Sequence, residues 1–261
     1  MFYPTDKGGA VMTGLVWEQQ EFPRHIKTVA ALDVGQARDY SVLSIVETWE
    51  IWRTEAFSEE HPVGWFYVLV FQQRFNGTYP DQVDEICEKL KNYTNLQKSG
   101  PVKPEISQTL IVETNGIGLS MFQALKKQMP AGWRVQGALL TAGDAIAFTN
   151  GVWHLNKREI INTLTDLLDR SLLKIPEDLA TRELLLNEAA GFMRTFTATG
   201  KEQLNSDTES RHDDLIISLA YAVWYSVTKG ECKVLPAIGF APIKTDTPLT
   251  VAFRDAFNKI F

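Results

Sequence analysis

The sequence predicts a mixed α/β domain in which an antiparallel meander is followed by alternating strands and helices. Three apolar runs rich in β-branched and aromatic residues come first, at residues 28–33, 41–52 and 65–75. From Pro80 to about Val227, helical and strand patterns alternate. Strands that precede an alternating series favour a mixed sheet, with the meander and parallel strands side by side and helices on the faces.

The three opening runs are separated by turn signals. The first run ends on Asp33, and Gly35 follows as a turn residue. The second and third runs are separated by a charged stretch that contains Pro62, at residues 54–62. We therefore predict three consecutive antiparallel strands.

The remaining segments are assigned from their periodicity and their flanking turns. Val83, Ile86, Cys87 and Leu90 have the spacing of an amphipathic helix that opens near Pro80. The later predicted elements are a strand at 108–113, a helix at about 119–129, a strand at 135–140, a helix at 157–169, a short strand at 172–175, a helix at 179–190, a hairpin around Gly200 and a helix at 212–227.

These elements predict one domain over residues 28–228. Residues 1–27 mix Gly and Pro with charges and show no sustained period, so we expect an arm or linker there. Residues 229–261 contain several prolines and end in a short amphipathic stretch, which indicates a tail or a docking helix.

The composition narrows the class of protein. Of the 261 residues, 44% are hydrophobic and 22% are charged, which excludes a disordered or collagen-like chain. Cys87 and Cys232 form no CxxC pair, so structural zinc is not expected. Since no apolar run approaches the roughly 20 residues that span a bilayer, we expect a cytoplasmic protein. Its net charge of -6 argues mildly against a protein that reads DNA sequence.

Acidic residues follow two of the predicted strands. Asp33 and Glu113 each end an apolar run that is followed by a glycine turn, and Asp213 and Asp214 open the last predicted helix. Either strand acid alone could be an ordinary turn residue. Several carboxylates gathered in one cleft would repel each other unless a cation offset their charge. Oxygen ligands favour Mg²⁺ or Mn²⁺ over zinc.

Such a site has a natural chemistry. Two ions bridged by a carboxylate can activate a water and stabilise the leaving oxygen of a phosphodiester. The protein then needs no nucleophile of its own, and the sequence contains neither G-x-S-x-G nor H-E-x-x-H. The sequence therefore favours metal-assisted hydrolysis.

An ordered set of motifs resembles a known family. The strings are Leu32-Asp-Val-Gly35 with Asp39 and Ser41, Val112-Glu-Thr-Asn-Gly-Ile-Gly118, Lys157 with Leu172-Leu-Lys-Ile175, and Arg211-His-Asp-Asp-Leu215 with Ala220-Tyr-Ala-Val-Trp224. In this order they resemble the nuclease domain of the large terminase subunit of tailed bacteriophages. The resemblance covers roughly residues 28–227.

The resemblance implies an RNase H-like fold and a DNA endonuclease. Asp33, Glu113 and an aspartate of the last helix would hold two Mg²⁺ or Mn²⁺ ions that cut concatemeric viral DNA during packaging. The partners that it implies are double-stranded DNA, a terminase ATPase domain or subunit, the small terminase and the portal, in the host cytoplasm. An isolated domain of this kind is expected to be monomeric.

The resemblance also ranks the neighbouring candidates. Asp214 is preferred as the helix ligand because Asp213, three residues after Ser210, could instead serve in a capping box. Asp39 is either an accessory ligand or an exposed turn residue. Lys157 would lie near the scissile phosphate or be an ordinary first-turn lysine, and His212 would orient a ligand or cap the helix.

Other interpretations remain open. The phosphate loop GxxxxGK[ST] of the terminase motor does not occur, since Glu202 follows Gly200-Lys201. The dinucleotide motif GxGxxG also fails, because Met121 stands where its third glycine belongs. The alternatives are a Holliday-junction resolvase, a sugar-kinase or actin-like ATPase that would need further phosphate loops, and a non-catalytic nucleic-acid-binding or assembly module.

Overall fold

The computed structural model describes residues 20–35, 39–54, 60–98, 106–143, 145–196, 202–206 and 213–228. Within these ranges, one mixed sheet of eight strands has the order β6-β7-β5-β4-β1-β2-β3-β8. Its strands are β1 Gln20–Asp33, β2 Ser41–Thr54, β3 Glu60–Phe75, β4 Ser107–Glu113, β5 Trp133–Leu140, β6 Ala147–Thr149, β7 Val152–Leu155 and β8 Leu173–Lys174. A separate hairpin pairs β9, Phe192–Phe196, with β10, Glu202–Ser206.

The pairing has the predicted mixed character. β1, β2 and β3 form an antiparallel meander, and β4 and β5 continue from β1 in parallel. The predicted mixed α/β class is therefore confirmed, and the strand order is consistent with an RNase H-like fold. Because β1 and β4 are parallel neighbours, their carboxyl ends meet at one edge of the sheet.

Helices cover both faces of the sheet. The helices of the described ranges are α1 Tyr79–Lys98, α2 Gly118–Gln128, α3 Lys157–Asp169, α4 Arg182–Gly191 and α5 Asp214–Thr228. The apolar stripes of α1 and α2 pack with one face of the central strands, and α3, α4 and α5 pack with the other. α5 is buried on all sides from Leu215 to Ser226, as expected for an apolar helix between a sheet and further helices.

Several strand bounds differ from the sequence prediction, and β3 begins at Glu60, inside the stretch predicted to separate the second and third strands. β1 begins at Gln20 rather than Thr28, because the partner strand β2 extends to Thr54 and pairs with this segment. Residues 20–27 therefore belong to the sheet and not to the expected arm, whereas residues 1–19 and 229–261 lie outside the described ranges.

A further difference is the short hairpin of β6 and β7, which the periodicity did not predict. Its turn contains Asn150 and Gly151 with φ of 53° and 84°. Asn-Gly is a strong hairpin signal, and it was overlooked because the flanking strands are too short to show a period. In the part of the chain that the structure describes, no helix is both long and apolar enough to cross a membrane.

Candidate carboxylate site

Asp33 and Glu113 lie side by side at the carboxyl ends of β1 and β4. Leu32 pairs with Val112 in the parallel register, so the two acids are the next residues of adjacent strands. The backbone N–H of Val34 donates to Glu113 Oε2 at 3.3 Å, which ties the second acid to the end of the first strand. The edge of the sheet where open α/β folds bind ligands therefore carries two neighbouring carboxylates.

The amino end of α5 brings two more acids to this edge. α5 crosses β1 with its first turn near Asp33, since Ser218 Oγ lies 2.9 Å from the carbonyl oxygen of Ala31. Asp214 is the first residue of the helix, and Asp213 immediately precedes it. The capping-box position expected for Asp213 is therefore wrong, because the helix begins after this residue; Ser210 lies outside the described residues.

Asp33 is the most buried member of this carboxylate site, which we define as Asp33, Glu113, Asp213 and Asp214. Burial, followed by a hydrogen bond and the charge of Glu113, raises the pKa of Asp33 well above its ordinary value. The charges of Asp214 and Asp213 raise this pKa further. All four acids therefore share one electrostatic environment, in which a proton or a cation is needed to offset their repulsion.

Lys157 supplies a positive charge to the same region. It is the first residue of α3, where the side chain of Asn156 caps the helix by accepting from Glu159 N at 2.7 Å. Lys157 Nζ lies 2.6 Å from Asp213 Oδ2. Asp213 therefore faces a lysine, while Asp214 is the first residue of the helix.

Tyr221 lies two turns further along α5 and is fully buried. Burial and then the charges of Glu113 and Asp33 raise the pKa of its phenol well above its ordinary value. Its hydroxyl has no hydrogen-bond partner among the residues that the structure describes. A buried hydroxyl without a hydrogen-bond partner lowers the stability of the fold, so the Tyr221 hydroxyl beside the carboxylates needs an explanation.

Two glycines shape the segment that follows Glu113. Gly116 has φ of 54° within a turn, which supports the tight turn over the dinucleotide motif. A Cβ on Gly118 would lie 2.3 Å from the carbonyl oxygen of Glu113. Gly118 is therefore required so that α2 can begin directly against the strand end that carries Glu113.

The other predicted site residues lie elsewhere or outside the description. Asp39 is exposed, and it is not among the acids that raise the pKa of Asp33. A Cβ on Gly35 would lie 2.5 Å from the backbone oxygen of Asp39. The main chain of Asp39, and not its side chain, therefore approaches the end of β1. His212 lies outside the described residues.

The donors of the carboxylate site are all oxygens, which suits Mg²⁺ or Mn²⁺. Burial is the main cause of the raised pKa of Asp33 and the charges of the other three acids add to it, and a divalent cation would offset both effects. Across the described ranges, no three or more Asp, Glu, His or Cys side chains are grouped closely enough to hold an ion. The chemistry of the donors therefore fits a divalent cation, and binding would require the acids to draw together.

Two residues next to the carboxylate site were missed in the sequence, Gln72 of β3 and Glu188 of α4, and both bond to the backbone of Leu215. Tyr221 is part of the motif string at residues 220–224, but its side chain was assigned no role from the sequence. Burial raises the pKa of Glu188 to about 7; Arg74 opposes the rise and the charge of Asp214 adds to it. No local pattern marks Gln72 or Glu188, whereas Tyr221 lies on the helical face that Asp214 begins.

Comparison with known proteins gives one similarity of fold. No protein-family model and no curated protein matches the chain. Among solved structures, the chain is similar to the nuclease domain of the human cytomegalovirus terminase, in a Mn-soaked structure with an inhibitor bound. The two are 10% identical with a TM-score of 0.44, over 78% of this chain and 85% of that one. A likeness at this identity concerns the fold alone, so the function proposed below depends on the carboxylates.

Proposed function

We propose that this chain is a Mg²⁺- or Mn²⁺-dependent DNA endonuclease of the terminase nuclease type. The observation that carries the proposal is that Asp33 and Glu113 end adjacent parallel strands and Asp214 begins the helix that packs against the same strand. Burial and then the charges of Glu113 and Asp214 raise the pKa of Asp33 there. Asp33, Glu113 and Asp214 would hold the divalent ions, which would supply Lewis-acid assistance to the hydrolysis of a phosphodiester by water.

The residues of the chain then have distinct tasks. Asp33, Glu113 and Asp214 provide the oxygen ligands, and burial of Asp33 keeps bulk water away from this side of the site. Lys157 holds Asp213 through the 2.6 Å ion pair. Lys157 also places a cation where a phosphate could approach. The net charge of -6 is compatible with DNA binding, because bound ions reverse the local sign.

The setting of the activity is part of the same proposal. The substrate would be concatemeric viral double-stranded DNA, cut during genome packaging in the host cytoplasm. A terminase ATPase domain or subunit would then supply the motor, and the small terminase and the portal would be further partners. These assignments come from the motif resemblance and need separate tests with those partners.

Cleavage of supercoiled plasmid with Mn²⁺ or Mg²⁺ tests the chemistry. We expect nicking that EDTA abolishes, and a loss of at least about 100-fold in Asp33→Asn and Asp214→Asn, since even residues behind metal ligands cost 10- to 100-fold. Asp166→Asn is the matched control, because this α3 aspartate is 60% exposed and pairs with Arg170.

The outcomes separate the alternatives. Full cleavage by Asp33→Asn and Asp214→Asn would contradict the assigned ligands, and a folded wild type that cuts no DNA would favour a binding or assembly module. A strong preference for four-way junctions over duplex would favour a resolvase. Asp213→Asn and Asp39→Asn complete the set, and we expect each to lose less activity than Asp214→Asn.

A further inference from the structure

The first turn of α5, which carries Asp214, is held by buried side chains from two other elements. The backbone N–H of Leu215 donates to Glu188 Oε2 of α4 at 3.0 Å. The carbonyl oxygen of the same residue accepts from Gln72 Nε2 of β3 at 2.9 Å. Both polar backbone groups of the residue after Asp214 are therefore bound by side chains from distant parts of the chain.

These two side chains are themselves fixed. The other carboxylate oxygen of Glu188 pairs with Arg74 of β3. Gln72 also donates to Ser44 Oγ at 2.9 Å and accepts from Thr181 Oγ1 at 2.9 Å. Since both oxygens of Glu188 are engaged within the protein, this acid differs from the carboxylate site and is not a ligand candidate.

The contacts of Glu188 and Gln72 stabilise the first turn of α5 and fix its position. The first N–H groups of a helix have no intrahelical acceptor, and a charged acceptor near them is stabilising. Glu188 supplies this acceptor from outside the helix, while Gln72 holds the same turn from the sheet. Ser218 Oγ, one turn later, lies 2.9 Å from the carbonyl oxygen of Ala31 on β1. The turn is thus held against three elements, and the position of Asp214 along and around the helix axis is fixed.

We propose that Glu188 and Gln72 are positioning residues that set the distance between Asp214 and the Asp33–Glu113 pair. This inference rests on the proposed nuclease function. Neither residue touches the reacting atoms; each acts through the backbone of Leu215.

Two substitutions of Glu188 separate side-chain length from charge. Glu188→Gln keeps the length and an oxygen that can accept from Leu215 N, but it loses the charge that faces Arg74. Glu188→Asp keeps the charge and shortens the side chain by one methylene, so the 3.0 Å contact is lost. Glu183→Asp, on the same helix with an 80% exposed side chain, is the matched control.

The cleavage assay should rank the variants by length. We expect kcat of Glu188→Asp to fall about 10- to 100-fold with KM for DNA within about twofold, as for residues behind metal ligands. Glu188→Gln should stay within about threefold of wild type, and the control should be unchanged. The Mn²⁺ dissociation constant, measured by calorimetry, should rise about tenfold in Glu188→Asp alone.

Equal activity of Glu188→Asp and Glu188→Gln would overturn the proposal, because side-chain length would then not set the rate, and a more active Glu188→Asp would overturn it in favour of a charge effect. So would activities that simply follow the melting temperatures, because that is the behaviour of a merely structural residue. If Glu188→Asp does not fold, Gln72→Asn provides the second test, since it shortens the side chain by one methylene and so loses the 2.9 Å contact to the carbonyl of Leu215. Unchanged kcat and Mn²⁺ affinity in Gln72→Asn would equally overturn it.

Hydrogen exchange keeps this inference separate from the proposed function. Amides 215–218 should exchange at least about tenfold faster in Glu188→Asp than in Glu188→Gln, whether or not the protein cuts DNA. An inactive wild type with this difference would refute the nuclease and retain the anchored helix. An active wild type without it would retain the nuclease and refute the positioning role.

Discussion

The two faces of the central sheet differ in what their buried polar contacts hold in place. On the face covered by α1 and α2, Trp133 Nε1 donates to Thr94 Oγ1 at 2.9 Å near the start of β5. On the α5 face, the polar contacts of Gln72 and Ser218 surround the first turn of α5, beside the strand ends. Buried polar groups restrict where helices can sit. We infer that the α1 face mainly provides stability, whereas the α5 face also positions the carboxylates.

The largest expected effect comes from a core substitution on the α1 face, which should lower stability and leave the cleavage activity unchanged. Leu90 of α1 is completely buried in the apolar cluster of its face. We expect Leu90→Ala to lower the free energy of unfolding by about 2–5 kcal/mol, because it leaves a cavity. Well below its melting temperature, the folded variant should cleave DNA like wild type. Urea unfolding and plasmid cleavage measure the two quantities, and a tenfold loss of kcat would show that the α1 face also positions the site.

A smaller effect is expected at Gly118, where α2 begins against the end of the strand that carries Glu113. Gly118 is the first residue of α2. Because it has no side chain, the carbonyl oxygen of Glu113 can lie close to it. We expect Gly118→Ala to cost about 1–3 kcal/mol of stability, since the strand end must move, and to reduce cleavage with it. Gly143→Ala is the control, because a Cβ there meets nothing within 4 Å. Equal stability and activity in the two variants would contradict the close approach.

The smallest effect has the opposite sign. The Tyr221 hydroxyl is buried on the α5 face without a partner among the described residues. We expect Tyr221→Phe to raise the free energy of unfolding by up to about 1 kcal/mol, because a desolvated polar group is removed. Thermal melts in EDTA measure it, with Tyr79→Phe as the control, since that hydroxyl donates to Gly35 O at 3.2 Å. A clear loss of stability would mean that a water or another group satisfies Tyr221.

The elements with long periodic patterns were predicted well. The apolar stripe of α3, from Ile160 to Leu168, lies inside as expected, and its helix spans the predicted residues. The β6–β7 hairpin was missed because three- and four-residue strands carry too little pattern. The extension of β1 back to Gln20 was missed because it depends on pairing with β2. Local periodicity reports burial of a face, and it does not report which strand will pair.

Part of the candidate site could also be predicted from the sequence, and part depended on tertiary contacts. An acid that ends an apolar run can be recognised in the sequence, which is how Asp33 and Glu113 were selected. Their adjacency depends on the parallel register of Leu32 with Val112, and the ion pair of Asp213 depends on where α3 begins. Glu188 has no sequence signal, because its contact spans 27 residues and reaches a backbone N–H that any residue would offer.

The sequence by itself therefore determined the mixed α/β class, the meander, most of the helices and the acids that end the strands. These follow from local alternation of apolar and polar residues, which the chain carries before it folds. Only the tertiary structure decided that four acids share one electrostatic environment, that Asp213 faces Lys157, and that Glu188 and Gln72 hold the first turn of α5. Contacts between residues far apart in the chain form only when elements pack, so they leave no local pattern in the sequence.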